Sequence, residues 1–341
     1  MGSLPARDQM KKSIIILLIC CATSLNAAEN STDLNYGMGI LNIHSQSIAQ
    51  SFRLTLPLIV PGDIKPGYQV ISQTTWSNIW AEEKSYLLDY ESLDTTLGIT
   101  YGFNKKLGMA VMVDSRTYFG GEMDSFIQGF HDLLNIGQNG RDNYAKNRSV
   151  ITRYDPETGL IIDQQRADQL NNSGINLLVN YNFEHHSRVL PGINIYGVAR
   201  YPLNTAEFID NKKGMDLGIG LGLSKKLTRD FYIYGIAGYT RYNDWEDRHN
   251  TSIELTNHQF TGLFSMGYTL SDNLALIAQY LYSTAVIKGI DGLDKASHEL
   301  HLGVNFKVGK KTILGVSLIE NIITMDNSPD FGIHVGLNFQ L

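Results

Sequence analysis

The 341-residue sequence has only 2 cysteines and 8 prolines, and charged residues make up just 18% of it. Both cysteines, Cys20 and Cys21, fall in one short apolar stretch near the N-terminus. The remainder of the chain can therefore form no disulfide, no thiolate metal site and no cysteine nucleophile. Outside that stretch no apolar run approaches the roughly 20 residues that a spanning helix requires, which excludes a helical membrane protein. A basic stripe is also missing. The 28 Lys and Arg against 34 Asp and Glu give a formal net charge of -6, which argues against nucleic acid as a partner. What is present is 43% hydrophobic residues, with 32 Gly, 18 Tyr and 13 Phe. That is too apolar and aromatic for a disordered chain, and too rich in glycine for an all-helical one.

Lys11 and Lys12 precede the apolar run 13–22, and small residues follow at Ala27 and Ala28. A charged start, a short apolar centre and a small-residue site make a secretory signal peptide. Cleavage after Ala27 is expected, giving a signal segment 1-27, a periplasmic or plug-like segment 28-66 and a main body 67-341. Both cysteines leave with the signal.

Beyond residue 67 the hydrophobic period is two. Leu97, Ile99, Tyr101 and Phe103 interleave with Thr96, Gly98, Thr100 and Gly102. After Asn104-Lys105-Lys106, Leu107, Met109, Val111 and Val113 alternate in the same way, as do Met215, Leu217, Ile219, Leu221 and Leu223. This pattern predicts about twelve strands: 67-80, 87-103, 107-118, 172-184, 192-202, 214-224, 230-242, 257-270, 274-287, 297-308, 312-323 and 331-341. Short links alternate with longer, more polar ones at 81-86, 119-171, 203-213, 243-256, 288-296 and 324-330. Short turns at one end and long loops at the other predict an all-β fold: a transmembrane antiparallel barrel with short periplasmic turns and long extracellular loops. A bilayer leaves unpaired backbone groups no water, so strands cross it only in closed form.

Aromatic girdles are expected from Tyr101, Phe103, Tyr118, Phe119, Tyr181, Phe183, Tyr201, Phe231, Tyr239, Tyr268, Tyr282 and Phe306. Ile333, Val335, Leu337, Phe339 and Leu341 alternate to the last residue. That strand resembles the one read by the bacterial barrel-assembly machinery, so this machinery and outer-membrane lipid are the expected partners.

By parity the lumen receives Asp94, Asp114, Arg116, Asp216, Glu299, His301 and Lys307, with Gln279, Asn305 and His334. The seven ionisable groups that open this set, Asp94 to Lys307, are the pore-lining candidates. Glycines at 98, 102, 108, 218, 220 and 222 share that face and predict close approach by another segment. Two segments are placed to fill or cover the lumen: residues 29–66, and loop 119-171, where Met123, Phe126, Ile127, Phe130, Leu133 and Leu134 fall at helical spacing. The apolar face of that helix must pack on the barrel rim, fold into the lumen or touch lipid, and rim packing is the expectation; the loop as a whole is expected to govern the mouth or constriction.

His131-Asp132 is the weak catalytic alternative, since a His beside a carboxylate is half of a hydrolase triad. Adjacent helical residues diverge by about 100°, however, so the pair does not itself build a site. Ser125 and His185-His186-Ser187 are no better placed. No cofactor or metal is expected, because no loop has calcium-hand spacing.

One set of residues carries a family resemblance: Leu88-Asp89-Tyr90-Glu91, Leu97, Tyr101-Gly102, Gly120-Gly121, Asp124, Phe130-His131-Asp132 and Gly140-Arg141. Through them the chain resembles a family of bacterial outer-membrane proteins grouped as a domain of unknown function. The resemblance spans most of the chain and is most specific over residues 88–141. It implies an outer-membrane location and a barrel, and carries over neither substrate nor catalytic residues. The expectation is an outer-membrane, porin-like channel or transporter for small solutes. An outer-membrane lipid hydrolase and a structural or adhesive barrel with a closed lumen are the alternatives.

Overall fold

The computed structural model describes residues 35–341 except 49, 51–52, 59–65, 135–136, 138–139, 170, 184–189, 205–208, 212–213, 244, 248–253 and 325. The signal segment 1-27, residues 28–34 and His185 to Ser187 lie outside the described residues.

Twelve antiparallel strands form the barrel. They are β1 (Gly67–Glu83), β2 (Tyr86–Gly102), β3 (Leu107–Phe119), β4 (Asn171–Phe183), β5 (Gly192–Asn204), β6 (Asp216–Lys226), β7 (Phe231–Arg241), β8 (His258–Ser271), β9 (Leu274–Ser283), β10 (Ser297–Val308), β11 (Thr312–Asn321) and β12 (Phe331–Gln340). Each pairs with its sequence neighbours, and β1 pairs with both β2 and β12. That last pairing closes the sheet and removes its free edge. The strands match the alternation in the sequence closely, with two local differences. The β1–β2 link is only residues 84–85, because the ladder continues to Glu83 and Tyr86. Strand β9 ends at Ser283, because Ile287 and Lys288 pair instead with Leu255 and Glu254 in a separate ladder.

Alternation assigns the two faces. Ile99, Val111 and Leu177 are in register across β2, β3 and β4 and are all exposed. They belong to an outward apolar belt of the kind that a membrane barrel turns to lipid. At the turn end Tyr68 and Tyr101 are 4.7 Å apart and Tyr181 and Phe183 5.2 Å apart. At the loop end Tyr239 and Phe260 are 5.1 Å apart. Tyr118 departs from the expected girdle. It is buried and meets Tyr90 edge-on at 5.5 Å, because Phe119 faces outward and successive strand residues face opposite ways.

The lumen is occupied by the described residues of the span 35–58, here called the insert. It starts at the turn end, where Asn35 bonds Leu190 O and Lys226 N at 3.4 and 3.3 Å. It reaches the loop end at Ser47, whose hydroxyl lies 2.7 Å from Asn327 Oδ1, and then turns back toward the start of β1. Ile40, Ile48, Leu54, Leu56 and Leu58 share one buried cluster with inward residues such as Ile71, Met112, Leu178 and Ile236. Apolar burial at roughly 25 cal/mol per Å² therefore works inside the barrel through the insert.

Loop 119-171 divides in two. Its second part is a hairpin, Val150–Tyr154 with Ile161–Arg166, which pairs with β2 at Tyr86 to Asp89 and raises the wall above the end of β3. Its first part carries helix α1 (Asp124–Leu134). Met123 and Ile127 pack on Phe331, with Trp76 and Ile333 beside them. Register places Phe331, Asn78 and Glu91 side by side on the outward face. The helix thus covers the outer wall at the β12–β1–β2 seam. This corrects the expectation that this part of the loop governs the mouth: its apolar face is satisfied by outward Phe331 and Trp76.

Candidate functional site

The site is the contact between insert and wall. Asp94 on β2 accepts from Arg116 Nε and Nη2 at 2.8 and 2.5 Å, and its Oδ2 is 3.0 Å from His44 Nε2 of the insert. The other end of this group is Gln46, whose Oε1 accepts from Arg116 Nη2 at 3.1 Å. Asp216, at the loop end of β6, accepts from Arg53 Nε and Nη2 at 3.1 and 2.7 Å and from the Leu54 amide at 3.1 Å. The Arg53 guanidinium also lies 4.6 Å from the Tyr242 ring centre. Glu299 on β10 accepts from Ser45 Oγ at 2.5 Å and from the Gln46 amide at 3.0 and 3.1 Å.

Behind these contacts stand links between wall residues. Arg200 on β5 holds Asp114 on β3 through bonds of 3.1 and 2.8 Å, and Asn176 donates to the same carboxylate at 2.5 Å. Gln279 Nε2 lies 3.0 Å from His301 Nδ1, and His301 Nε2 lies 3.4 Å from Glu299. An amide that donates to Nδ1 leaves the histidine proton on Nε2, where it faces Glu299. A cavity of about 20 Å³ remains between insert and wall, lined by His44, Arg53, Asp94, Asp114, Arg116 and Arg200 among others, with room for about one water.

Three arginines are thus each matched by an aspartate inside the barrel. A charge taken from water costs several kcal/mol unless it is paired and hydrogen-bonded, so the pairing is what lets these residues be buried. Two glycines fit the insert to the wall. A Cβ on Gly218 would lie 3.2 Å from Leu54 Cδ2 and Leu56 Cδ1, and one on Gly238 would lie 3.0 Å from Leu56 Cδ1.

Six of the sequence-predicted lumen residues, Asp94, Asp114, Arg116, Asp216, Glu299 and His301, face inward and, apart from the half-buried Asp114, are buried in these groups. Lys307 shares their parity near the turn end and is half-buried. Five partners escape sequence reasoning: Arg200 on β5, and His44, Ser45, Gln46 and Arg53, which lie in a segment with no periodic pattern. The inward glycines were the one available signal.

A second polar group lies on the outer wall, under the loop. Glu91 accepts from Trp76 Nε1 and from the Met123 amide, both at 2.6 Å. Asp124 accepts from Asn78 Nδ2 at 3.3 Å and from the Asn147 amide at 2.7 Å. Arg141 bonds Asn78 Oδ1, pairs with Asp330 at 3.1 Å and lies over the Trp80 ring at 5.5 Å. Gly121 lets the Asp124 carboxylate approach, since a Cβ there would lie 2.7 Å from Asp124 Oδ2. His131 is buried and acts electrostatically on Asp330, whereas Asp132 is exposed. Ser125 is exposed and accepts from Lys146 Nζ at 3.3 Å. The three do not converge. Among the described residues no three His, Cys, Asp or Glu side chains are grouped to hold a metal ion.

The model of a family described as protein of unknown function (DUF3187) matches residues 15–341. The chain belongs to that family. No curated protein sequence matches the DUF3187 chain. Among solved structures it is similar to an outer-membrane channel of Pseudomonas putida F1, with a TM-score of 0.50 and 10% identity, covering 83% of this chain and 100% of that one. Lower similarity, at a TM-score of 0.44 and 13% identity, links it to the translocator domain of the autotransporter NalP from Neisseria meningitidis, covering 82% and 90% of the two chains. The NanC porin gives 0.43 and 10%, covering 81% and 100%. The DUF3187 chain has the fold of an outer-membrane β-barrel. Of the residues that carry the family resemblance, Glu91, Gly121, Asp124 and Arg141 meet at the outer-wall cluster, whereas Leu88 and Tyr90 are buried with the inward residues and Tyr101 stands beside Tyr68 at the turn end.

Proposed function

We propose that the protein is a porin-like outer-membrane channel for small polar solutes and that the insert governs its lumen. The observation that carries this reading is the chemistry of the inward face. The hydroxyls of Thr96, Thr240, Thr261, Ser265 and Ser317 and the Gln73 amide nitrogen are buried without a protein partner among the described residues. Each such group costs about 1–3 kcal/mol unless water or a solute meets it. A wall selected only to bury a core would carry apolar groups there. Export through a signal peptide cleaved after Ala27, and insertion by the barrel-assembly machinery through β12, complete the reading. The surrounding partner is outer-membrane lipid.

Planar-bilayer recording of the refolded protein tests it. Discrete conductance steps are expected, and their persistent absence would reject the channel. Deleting residues 121–135 should leave the steps unchanged, because α1 lies on the outer wall.

A further inference from the structure

Besides its side chains, the wall holds the insert by its backbone. Asn305 Nδ2 lies 3.2, 3.3 and 3.4 Å from the carbonyl oxygens of Met38, Gly39 and Ile40. Gln279 Nε2 donates to Leu41 O at 3.1 Å, and the Tyr234 hydroxyl donates to Tyr36 O at 2.6 Å. Where the insert offers N–H groups, the wall offers carboxylates: Glu299 to Gln46 and Asp216 to Leu54. Amide and phenol donors meet carbonyls, and carboxylates meet N–H groups. Contacts of this kind read the polypeptide repeat, while pockets for alternate side chains add selectivity. Room for apolar side chains is left by two glycines of the wall. Leu54 and Leu56, two residues apart, both reach Gly218, and Leu56 also reaches Gly238.

Resting on the channel reading above, we propose that the lumen is a peptide passage and that residues 35–58 occupy it as an intramolecular pseudo-substrate. The solute class is the oligopeptide with small or apolar side chains, admitted when the insert is displaced. A sugar presents hydroxyls without the repeating N–H and C=O that these wall groups match. With the insert displaced, a free anion meets Asp216 and Glu299 without their insert partners, and meets Arg116 and Arg200 already neutralised by Asp94 and Asp114.

The test uses the full chain. Ser47 Oγ and Asn327 Oδ1 are 2.7 Å apart, so Ser47→Cys with Asn327→Cys gives an insert that an oxidant locks and a reductant frees. In planar bilayers the oxidised protein should be closed and the reduced one conducting. In liposomes the reduced protein should admit tetra-alanine about fivefold faster than a neutral sugar of equal mass. A synthetic peptide of residues 35–58 should block the reduced current. The same peptide N-methylated at Gln46 and Leu54 should block about tenfold less well, having lost the N–H groups that Glu299 and Asp216 accept. Asn305→Ala, which spares every charge, should weaken the block as well. Current with equal peptide and sugar entry and no backbone-dependent block would overturn the peptide assignment and leave the channel standing. No current in any preparation would remove the channel and this proposal with it.

Discussion

Arg53 of the insert and Asp216 of β6 form a two-point ion pair at 3.1 and 2.7 Å, with both side chains 1% exposed. The pair ties the returning limb of the insert to the loop end of the barrel, and the Leu54 amide bonds the same carboxylate. At this burial solvent screening is negligible, so the interaction is all or nothing.

Asp216→Ala is accordingly expected to destabilise the protein by about 3–5 kcal/mol, because it leaves the Arg53 charge buried and unmatched. Arg53→Met with Asp216→Leu should recover most of that loss. Urea unfolding in detergent, with the two single variants and the double variant, measures both. A double variant no better than Asp216→Ala would show that the pair is not the unit.

Gly218→Leu places a side chain where Leu54 and Leu56 already lie. Overpacking of this kind costs about 1–3 kcal/mol, and here the movable partner is the insert rather than the wall. The barrel should stay folded by heat-modifiability on gels while its conductance rises. Unaltered conductance in a folded variant would mean that the insert does not limit passage.

The pair Arg141–Asp330 joins the outer loop to the start of β12 at 3.1 Å. Burial pushes the Asp330 carboxyl above the usual carboxylate range in spite of the pull of Arg141 and His131. A raised folded-state value means that this group's contribution to stability is complete below the ordinary value of about 4 and is lost as pH rises through the raised one. Proteolysis of the loop should therefore quicken as pH rises through that window. Asp330→Asn should flatten the dependence, and a variant that keeps the wild-type slope would contradict it.

Val111 faces outward at mid-height in the apolar belt and is 51% exposed. Val111→Arg should cost about 2–4 kcal/mol, as a charge on the outer face does near the midplane. Folding titrations into thin vesicles would read the loss directly. A neutral result would place that level outside the hydrocarbon.

Much of this was legible in one dimension. Leu97, Ile99 and Tyr101 against Gly98, Thr100 and Gly102 announce a strand with one apolar face, because a side-chain period of two needs no tertiary information. The parity of Asp94, Arg116, Asp216 and Glu299 follows from the same rule. Tyr118 was misassigned because a strand end offers no further alternation to separate it from Phe119.

By itself, then, the sequence determined the number of strands, their faces, the closed form that a bilayer demands and the inward placement of the acidic residues. Only the tertiary structure decided which partners those residues have. Ser45 and Glu299 are 254 positions apart, Arg53 and Asp216 are 163 apart, and no local period connects either pair. The closed barrel brings them together by enclosing the N-terminal segment. The same closure puts α1 against outward Phe331 instead of over the mouth, because an amphipathic pattern states that a face must be buried and not which surface will bury it.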